Sequence, residues 1–317
     1  MATATLLLGE RSRFGGQRLS EATGAALARA DLVEDQSTQL RRAFDVLPRG
    51  WPVAAVTRQR DVGDAGGAVW LRADPAYIRP DLGGARLMAY GEALGLSTPD
   101  VEAFLPPLRP LFGDFGFLID APVPSRWYLQ LPAGARVPVF AEPEDALGAD
   151  LIDQIPGSEP DIARASADSR RWRSLLSESQ VLLHNHPRNA ERIEAGLAPV
   201  NSLWFWGAGV LPDHVRSEHD ELLSEDESLA AFALLAGVAA APLPSRWNEP
   251  AGNCLVDLRH ARDLAQLQSD WLQPMLDALA ARRLDRAVVD FADGARYVVT
   301  RSQKWRFWRR PMRSLAK

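Results

Sequence analysis

The chain has 317 residues, of which 46% are hydrophobic and 24% are charged. This length is sufficient for one large domain or two smaller ones with a substantial core. The net charge of −5 argues against general nucleic-acid binding, because domains with that function are usually basic. Only a local basic patch could serve that purpose.

Cysteine content and hydropathy indicate the compartment. A single cysteine, Cys254, excludes an internal disulfide and fits a reducing environment. No apolar stretch has the length that a bilayer span requires, and the first residues lack the pattern of a secretory signal. The sequence therefore predicts a cytoplasmic protein without a membrane span.

Residues 1–65 read as the first part of an α/β core. The apolar run at 5–9 predicts a first strand of a parallel sheet, and an alanine-rich helix follows over 20–30. A second apolar run at 52–57 predicts another strand. The glycine-rich stretch 61–67 then predicts a boundary.

Residues 66–135 have the pattern of an α+β insertion. The predicted order is strand, strand, helix, strand, strand, at 69–72, 86–90, 98–111, 116–120 and 127–131. Thr98 is predicted to precede the helix as its cap, with Pro99 at the first helical position. Arg126 precedes the last strand, where it could contact an anion or form a surface salt bridge.

Residues 136–317 complete the α/β core and end in a basic, aromatic tail. An acidic loop over 141–159 and helices over 163–177 and 261–283 are predicted, and Asp293-Gly294 predicts a terminal hairpin. Eight basic residues and no acidic residue follow Asp293. Trp305, Phe307 and Trp308 lie among them, and either pack inward from a last strand or form a partner surface.

The segment 184–209 is the densest in polar and aromatic residues. Asn189 is predicted to cap a short helix that Gly196 ends. The apolar run at 203–206 predicts a buried strand that leads into a glycine loop at Gly207 and Gly209.

This segment also supplies a candidate anion site. Backbone N–H groups of a Gly-x-Gly turn after a strand can face a phosphate or carboxylate. The planar guanidinium group of an arginine can donate further hydrogen bonds to the same anion. Turn chemistry and core packing are the alternative explanation. The predicted contact residues are His184, His186, Asn189, Arg192, Asn201, Gly207 and Gly209.

The same residues carry a resemblance. The run His186-Pro187-x-Asn189-x-x-Arg192-x-x-x-Gly196-x-x-Pro199-x-Asn201, with Gly207-x-Gly209, resembles a signature of archaeal-type cofactor-independent phosphoglycerate mutases. The whole chain resembles a bacterial group described as RpfE-type regulatory proteins. The resemblance implies an α/β fold with a central mixed sheet flanked by helices and an α+β insertion, alkaline-phosphatase-like and reduced. It also implies that Arg126 contacts substrate phosphate.

The resembled mutases transfer phosphate through a serine or threonine and use metal ions held by Asp and His near both chain ends. Here residues 8–12 lack the aspartate-glycine motif, and Asp290 to Gly294 have no histidine beside them. Trp206 stands where the mutase pattern has arginine. The sequence therefore identifies no cofactor, and a divalent metal is expected only for an active mutase.

Three functions remain open from the sequence. The first is a mutase-like binding or regulatory protein without catalysis, which takes a small anionic ligand at the 184–209 segment. The second is an active phosphoglycerate mutase. The third is an interaction protein whose basic aromatic tail contacts a protein partner, with nucleic acid disfavoured by the overall charge.

Overall fold

The computed structural model describes residues 2–35, 37–81, 84–148 and 167–315. The chain divides into two compact units. We call Met1–Arg49 with Asp213–Lys317 the core unit, and Gly50–Pro212 the inserted unit. Part of the predicted acidic loop, from 149 onward, and the start of the helix predicted at 163 lie outside the described residues.

The secondary structure alternates strands and helices. In chain order, the strands are β1 (Thr3–Leu8), β2 (Asp31–Glu34), β3 (Asp45–Leu47), β4 (Val69–Asp81), β5 (Gly84–Tyr90), β6 (Leu118–Val123), β7 (Arg126–Leu131), β8 (Ser202–Val210), β9 (His214–Arg216), β10 (Glu221–Leu223), β11 (Ala239–Ala241), β12 (Cys254–Leu258), β13 (Arg286–Phe291) and β14 (Ala295–Thr300). The helices are α1 (Glu21–Arg29), α2 (Gln39–Ala43), α3 (Val53–Asp61), α4 (Thr98–Asp114), α5 (Pro143–Ala146), α6 (Ala167–His184), α7 (Arg188–Glu194), α8 (Glu227–Leu235), α9 (Leu264–Leu267) and α10 (Gln273–Ala280). Within the described ranges, no helix is long and apolar enough to cross a membrane.

The core unit is built on a mixed sheet of order β11-β10-β12-β1-β13-β14-β2. Strands β1, β10, β11, β12 and β13 are parallel, and β14 is antiparallel to both of its neighbours. Parallel strands covered on both faces read as continuous apolar runs, which explains the run in β1. The predicted mixed α/β class, the first strand and the Asp293-Gly294 hairpin are confirmed.

Helices α1 and α10 cover one face of this sheet. Leu27 and Met275 from these helices join Leu6 and Val289 from β1 and β13 in one apolar cluster. A π-helical turn, Gln268–Leu272, joins α9 to α10. The predicted helix over 261–283 is therefore present from Leu264 to Ala280, with Trp271 buried.

The inserted unit contains an antiparallel sheet of order β5-β4-β7-β6, and β8 pairs with the long strand β4. The predicted strand, helix and strand pattern over 69–131 is confirmed. It lies within the compact unit Gly50–Pro212, in which β4 pairs with β8, a strand too far away in sequence for a local pattern to connect.

Helix α3 corrects one prediction. Residues 52–57 were expected to form a strand, but Val53 to Asp61 are helical. Val53, Ala54, Ala55 and Val56 are all buried, so the segment has no polar face that would reveal a helical period. A short apolar run of this kind does not distinguish a buried helix from a buried strand.

The two glycines at the end of the central motif lie inside β8 instead of forming a loop. Gly209 pairs with Trp70 of β4, and the register shifts near Gly207, which has a φ of +65°. A Cβ atom on Gly207 would lie 2.9 Å from the Cβ of Val53, and one on Gly209 would lie 2.5 Å from the Cβ of Pro52. The glycines therefore let the start of α3 approach β8, and the predicted glycine loop is wrong.

We predict that Gly207→Ala lowers the free energy of unfolding by about 2–4 kcal/mol, because it combines a left-handed backbone with a clash against α3. Gly67→Ala is the matched control, since Gly67 also has a positive φ but has open space around its Cα. It should cost only about 1 kcal/mol. Urea denaturation measures both values, and equal losses would show that packing against α3 contributes nothing.

Candidate functional site

The 184–201 segment forms a corner between α6 and β8. Asn189 lies in the first turn of α7, after Pro187 in the capping position, so its predicted role as a cap is wrong. Its side-chain amide donates to the carbonyl oxygens of Leu183 and Val200, each at 2.8 Å, and its Oδ1 accepts from the Val200 amide at 2.8 Å. Asn189 thus fastens the end of α6 to the segment before β8. Gly196 ends α7 with a φ of +75°, as predicted.

Arg192 is the most deeply buried charge of this corner, with 1% of its surface exposed. Its Nη1 donates to Asp100 at 2.9 Å, its Nη2 to the Leu94 carbonyl at 2.6 Å and its Nε to the Ala198 carbonyl at 3.0 Å. Each guanidinium nitrogen therefore has a protein acceptor. This bonding gives Arg192 a structural role.

Asp100 is the acceptor on which the corner depends. It forms a capping box with Ser97, so α4 is capped one residue before the predicted Thr98. It also accepts from Arg188 at 2.7 Å. Burial raises the pKa of Asp100, but the hydrogen bonds from Ser97 and Arg188 and the charge of Arg192 outweigh this effect and hold it below its ordinary value.

The remaining predicted contact residues separate into two places. His184 is exposed, and the half-buried His186 packs its ring 4.9 Å from that of Phe104. Asn201 bonds to the backbone of Ile78 through both ends of its amide, at 2.7 and 2.8 Å. Arg126 lies elsewhere, paired with Asp61 of α3 at 2.8 and 3.1 Å.

The structure therefore gathers His184, His186, Asn189, Arg192 and Asn201 at one corner, whereas Gly207, Gly209 and Arg126 lie beside α3. Within the corner, the polar atoms of Asn189, Arg192 and Asn201 already bond to protein groups. Of these five residues, the exposed His184 and the Nε2 atom of His186 remain open to a ligand, because the Nδ1 atom of His186 accepts from the Arg188 amide at 3.2 Å. Anion binding here stays a prediction.

A buried ion pair lies within β4. Asp74 is fully buried and accepts two hydrogen bonds from Arg72, at 2.9 and 2.8 Å. The indole N–H of Trp206 donates to the same carboxylate at 2.7 Å. Trp206 thus uses its single donor to support Asp74. The available signal was the i, i+2 spacing of Arg72 and Asp74, which places both on one face of a strand.

The second place of interest is the carboxyl edge of the parallel strands in the core unit, where open α/β sheets usually bind ligands. Asp257 of β12 accepts two hydrogen bonds from Arg259, each at 2.8 Å, and one from Ser224 at 2.8 Å. Arg259 also donates to Asp226 at 2.8 Å. Burial raises the pKa of Asp257, but the bonds and charge of Arg259 outweigh burial and lower it.

Strand β13, which is separated from β12 by β1, has the same arrangement. Asp290 is 1% exposed and accepts from Arg42 at 3.0 and 2.6 Å. Asp293, in the turn after β13, accepts from Arg11 at 2.7 Å. Aspartates at the ends of β12 and β13 are therefore neutralised by arginines of the same unit.

These residues do not fit the metal centre that the mutase resemblance implies. A divalent ion needs carboxylate or histidine ligands that are not already paired with cations, whereas both oxygens of Asp257 and of Asp290 accept hydrogen bonds from arginine. A metal at this place would also face the guanidinium charges. In the described part of the chain, no group of three or more His, Cys, Asp or Glu residues is arranged to hold a metal.

A cavity of about 410 Å³ opens at this edge. Its charged and titratable lining consists of Glu225, Asp226, Asp257, Asp263, His260 and Arg262, with Trp271 at an apolar wall. Carboxylates outnumber cations in this lining, even with Arg259 paired to two of them. The local potential therefore disfavours a highly charged anion.

Comparisons with known proteins were made by family, by sequence and by structure. No protein-family model matches the chain. A probable 2,3-bisphosphoglycerate-independent phosphoglycerate mutase of Geobacter sulfurreducens is 25% identical over 187 residues, which cover 59% of this chain and 44% of that protein. A 2,3-bisphosphoglycerate-independent phosphoglycerate mutase of Archaeoglobus fulgidus is 37% identical over 78 residues, 25% of this chain and 19% of that protein.

A cofactor-independent phosphoglycerate mutase structure from Thermoplasma acidophilum aligns with 94% of this chain and 88% of its own, at 16% identity and a TM-score of 0.42. The chain spans less than half the length of each of these two curated relatives. The sequence relatives indicate a cofactor-independent phosphoglycerate mutase-like family, at modest identity.

We predict that Arg192→Ala lowers the free energy of unfolding by about 3 kcal/mol or more, because it removes the buried cation of Asp100 and the donors to the Leu94 and Ala198 carbonyls. Arg188→Ala is the matched control. Both arginines bond to Asp100, but the side chain of Arg188 is 29% exposed and that of Arg192 is 1% exposed. The control should lose much less stability in the same denaturation assay. Similar losses would refute the structural role of Arg192.

We also predict an acid-dependent loss of stability from Asp257. Its pKa in the folded state lies below the ordinary value of 3.8, so its stabilising effect is complete above that pH and disappears as the pH falls through the lowered pKa. Asp257→Asn should therefore reduce stability at neutral pH and flatten the dependence below about pH 4. Thermal unfolding between neutral and acid pH, with the exposed Asp277→Asn as control, measures the effect. An unchanged acid dependence in Asp257→Asn would contradict it.

Proposed function

We propose that this protein is a phosphoglycerate mutase-like binding or regulatory protein that does not transfer phosphate. One observation carries the proposal: the carboxylates at the ends of β12 and β13 are bound by Arg259 and Arg42. A phosphoryl transfer enzyme needs that edge to gather cations around the substrate phosphate. Here the cations are used to neutralise the protein's own carboxylates.

Electrostatics of the adjoining cavity support the same conclusion. Its lining is acidic, so a three-carbon acid with a phosphate group would meet repulsion there. Each arginine also holds its carboxylate through two directed hydrogen bonds. A metal ion could bind that carboxylate only after displacing the arginine. Both features favour a protein that keeps a mutase-like fold but does not transfer phosphate.

The finer part of the proposal concerns the ligand. A small anion, a phosphate ester or a carboxylate, would bind at the outer side of the 184–201 corner, where His184 is exposed and His186 half-buried. The RpfE-type regulatory group that the chain resembles fits a binding role of this kind. Arg192 would then act by holding the corner in shape and not by contacting the anion.

The decisive experiment is a coupled mutase assay with 3-phosphoglycerate on metal-stripped protein and on protein supplied separately with manganese, cobalt, zinc or magnesium. We expect no turnover above the protein-free control in any sample. A true phosphoglycerate mutase assayed in parallel shows that the coupling enzymes work. Metal-dependent turnover by this protein would overturn the proposal.

Calorimetry with 3-phosphoglycerate and with inorganic phosphate tests the ligand separately. We expect binding that weakens in His184→Ala, because an exposed imidazole contributes no core packing, and that is unchanged in the control His214→Ala. Binding that is unchanged in His184→Ala would place the anion elsewhere. If neither compound binds, the anion part of the proposal is wrong. The absence of catalysis is then tested by the coupled mutase assay alone.

The second candidate is an active mutase. It is favoured by the names of the sequence relatives, each of which is described as a phosphoglycerate mutase. The same coupled assay separates the two candidates, since only the active enzyme produces 2-phosphoglycerate.

A further inference from the structure

The segment after the last strand carries three large aromatic side chains that face solvent. Trp305, Phe307 and Trp308 are 68%, 76% and 69% exposed. Inward packing of these residues from a last strand, one of the two alternatives that the sequence left open, is wrong, because β14 ends at Thr300 and a 3₁₀ turn follows it. Exposed aromatics concentrated in this way mark an interaction surface.

The backbone that presents these side chains is held in place. Arg306 and Arg309 donate to carbonyl oxygens at the end of α1, at 2.9 to 3.1 Å, as basic residues at helix C-termini do. The amide of Met312 donates to the Gly24 carbonyl at 3.0 Å, and Leu315 is buried. The aromatics are therefore displayed by an anchored segment.

The charge around these aromatics is mainly positive, although Asp31 accepts a hydrogen bond from Arg306. Lys304, Arg309, Arg310 and Arg313 are exposed. No acidic residue follows Asp293, although the whole chain has a net charge of −5. This concentration of positive charge selects an anionic partner.

A groove of about 730 Å³ lies beside the aromatics, between α1 and α10. Its apolar floor is formed by Ala22, Ala25, Ala26, Leu276, Leu279 and Ala280. Its basic residues are Arg29, Arg282, Arg301 and Lys304, and no acidic residue lines it. An apolar floor beneath a cationic rim matches a phospholipid, whose phosphate can meet the rim while hydrocarbon meets the floor.

We infer that the segment 304–313 and this groove, together called the tail surface, bind bilayers that contain anionic phospholipid. Tryptophan and phenylalanine among lysines and arginines are the usual residues of an interfacial membrane contact. The rings of Phe307 and Trp308 meet edge to face, 5.6 Å apart at 76°. They do not form the flat platform that stacked nucleic-acid bases require. This inference is independent of the function proposed above.

The test is co-sedimentation of the full chain with vesicles of phosphatidylcholine alone and of phosphatidylcholine mixed with phosphatidylglycerol. We expect binding only to the mixed vesicles and a loss of binding as salt is raised, because salt screens the attraction. Trp305→Ser/Phe307→Ser/Trp308→Ser should lower the vesicle partition coefficient at least about tenfold, since it removes the inserting groups. Lys304→Glu/Arg310→Glu should lower it similarly.

Val139→Ser/Leu234→Ser is the matched control, because these apolar side chains are 94% and 60% exposed outside the tail surface. It should bind vesicles as the parent chain does. All variants should retain the parent melting curve, which separates lost binding from lost folding. Absence of binding to anionic vesicles, or binding unaffected by the aromatic triple variant, would overturn the inference. Binding of single-stranded nucleic acid without vesicle binding would overturn it too.

Discussion

Buried carboxylates need a cation at hydrogen-bonding distance, and this requirement recurs throughout the fold. In the inserted unit, Asp100 and Asp74 are held by Arg192 and Arg72. In the core unit, Asp257 and Asp290 are held by Arg259 and Arg42. The first two pairs hold a helix start and a strand in place. The last two occupy the sheet edge where a ligand would bind, so the same interaction that stabilises the core unit also determines what chemistry that edge can perform.

This chemistry is difficult to predict from sequence because it depends on partners far apart in the chain. Short-range patterns were sufficient for β1, α1, α4 and the terminal hairpin, whose periodicity and turn residues are local. They were insufficient for Asn189 and Gly207. A motif can specify a tight turn or a ligand with the same residue types, and only the positions of Val200 and Val53 reveal that both residues serve packing. The mutase signature thus identified residues that lie together in the structure. It did not show whether these residues bind a ligand or stabilise the fold.

The relatives and the structure bear on different levels of function. Sequence similarity to phosphoglycerate mutases covers part of the chain and less than half of the two curated relatives compared above. This similarity indicates common ancestry. The carboxyl edge, by contrast, depends on individual side chains, and a few substitutions that introduce arginines beside aspartates can end metal chemistry without changing the sheet.

The order of pairing in the core unit bears on how the chain folds during synthesis. Strand β1, near the start of the chain, lies between β12 and β13, so its partners are more than 240 residues away. The inserted unit, Gly50–Pro212, has all its own strands available long before those partners leave the ribosome. We therefore expect the inserted unit to fold first, while the apolar β1 stays exposed until the segment that contains β12 and β13 is made. We expect chaperones to bind such an exposed nascent strand. The rate at which β1 pairs with β12 and β13 is limited by the length of the intervening chain.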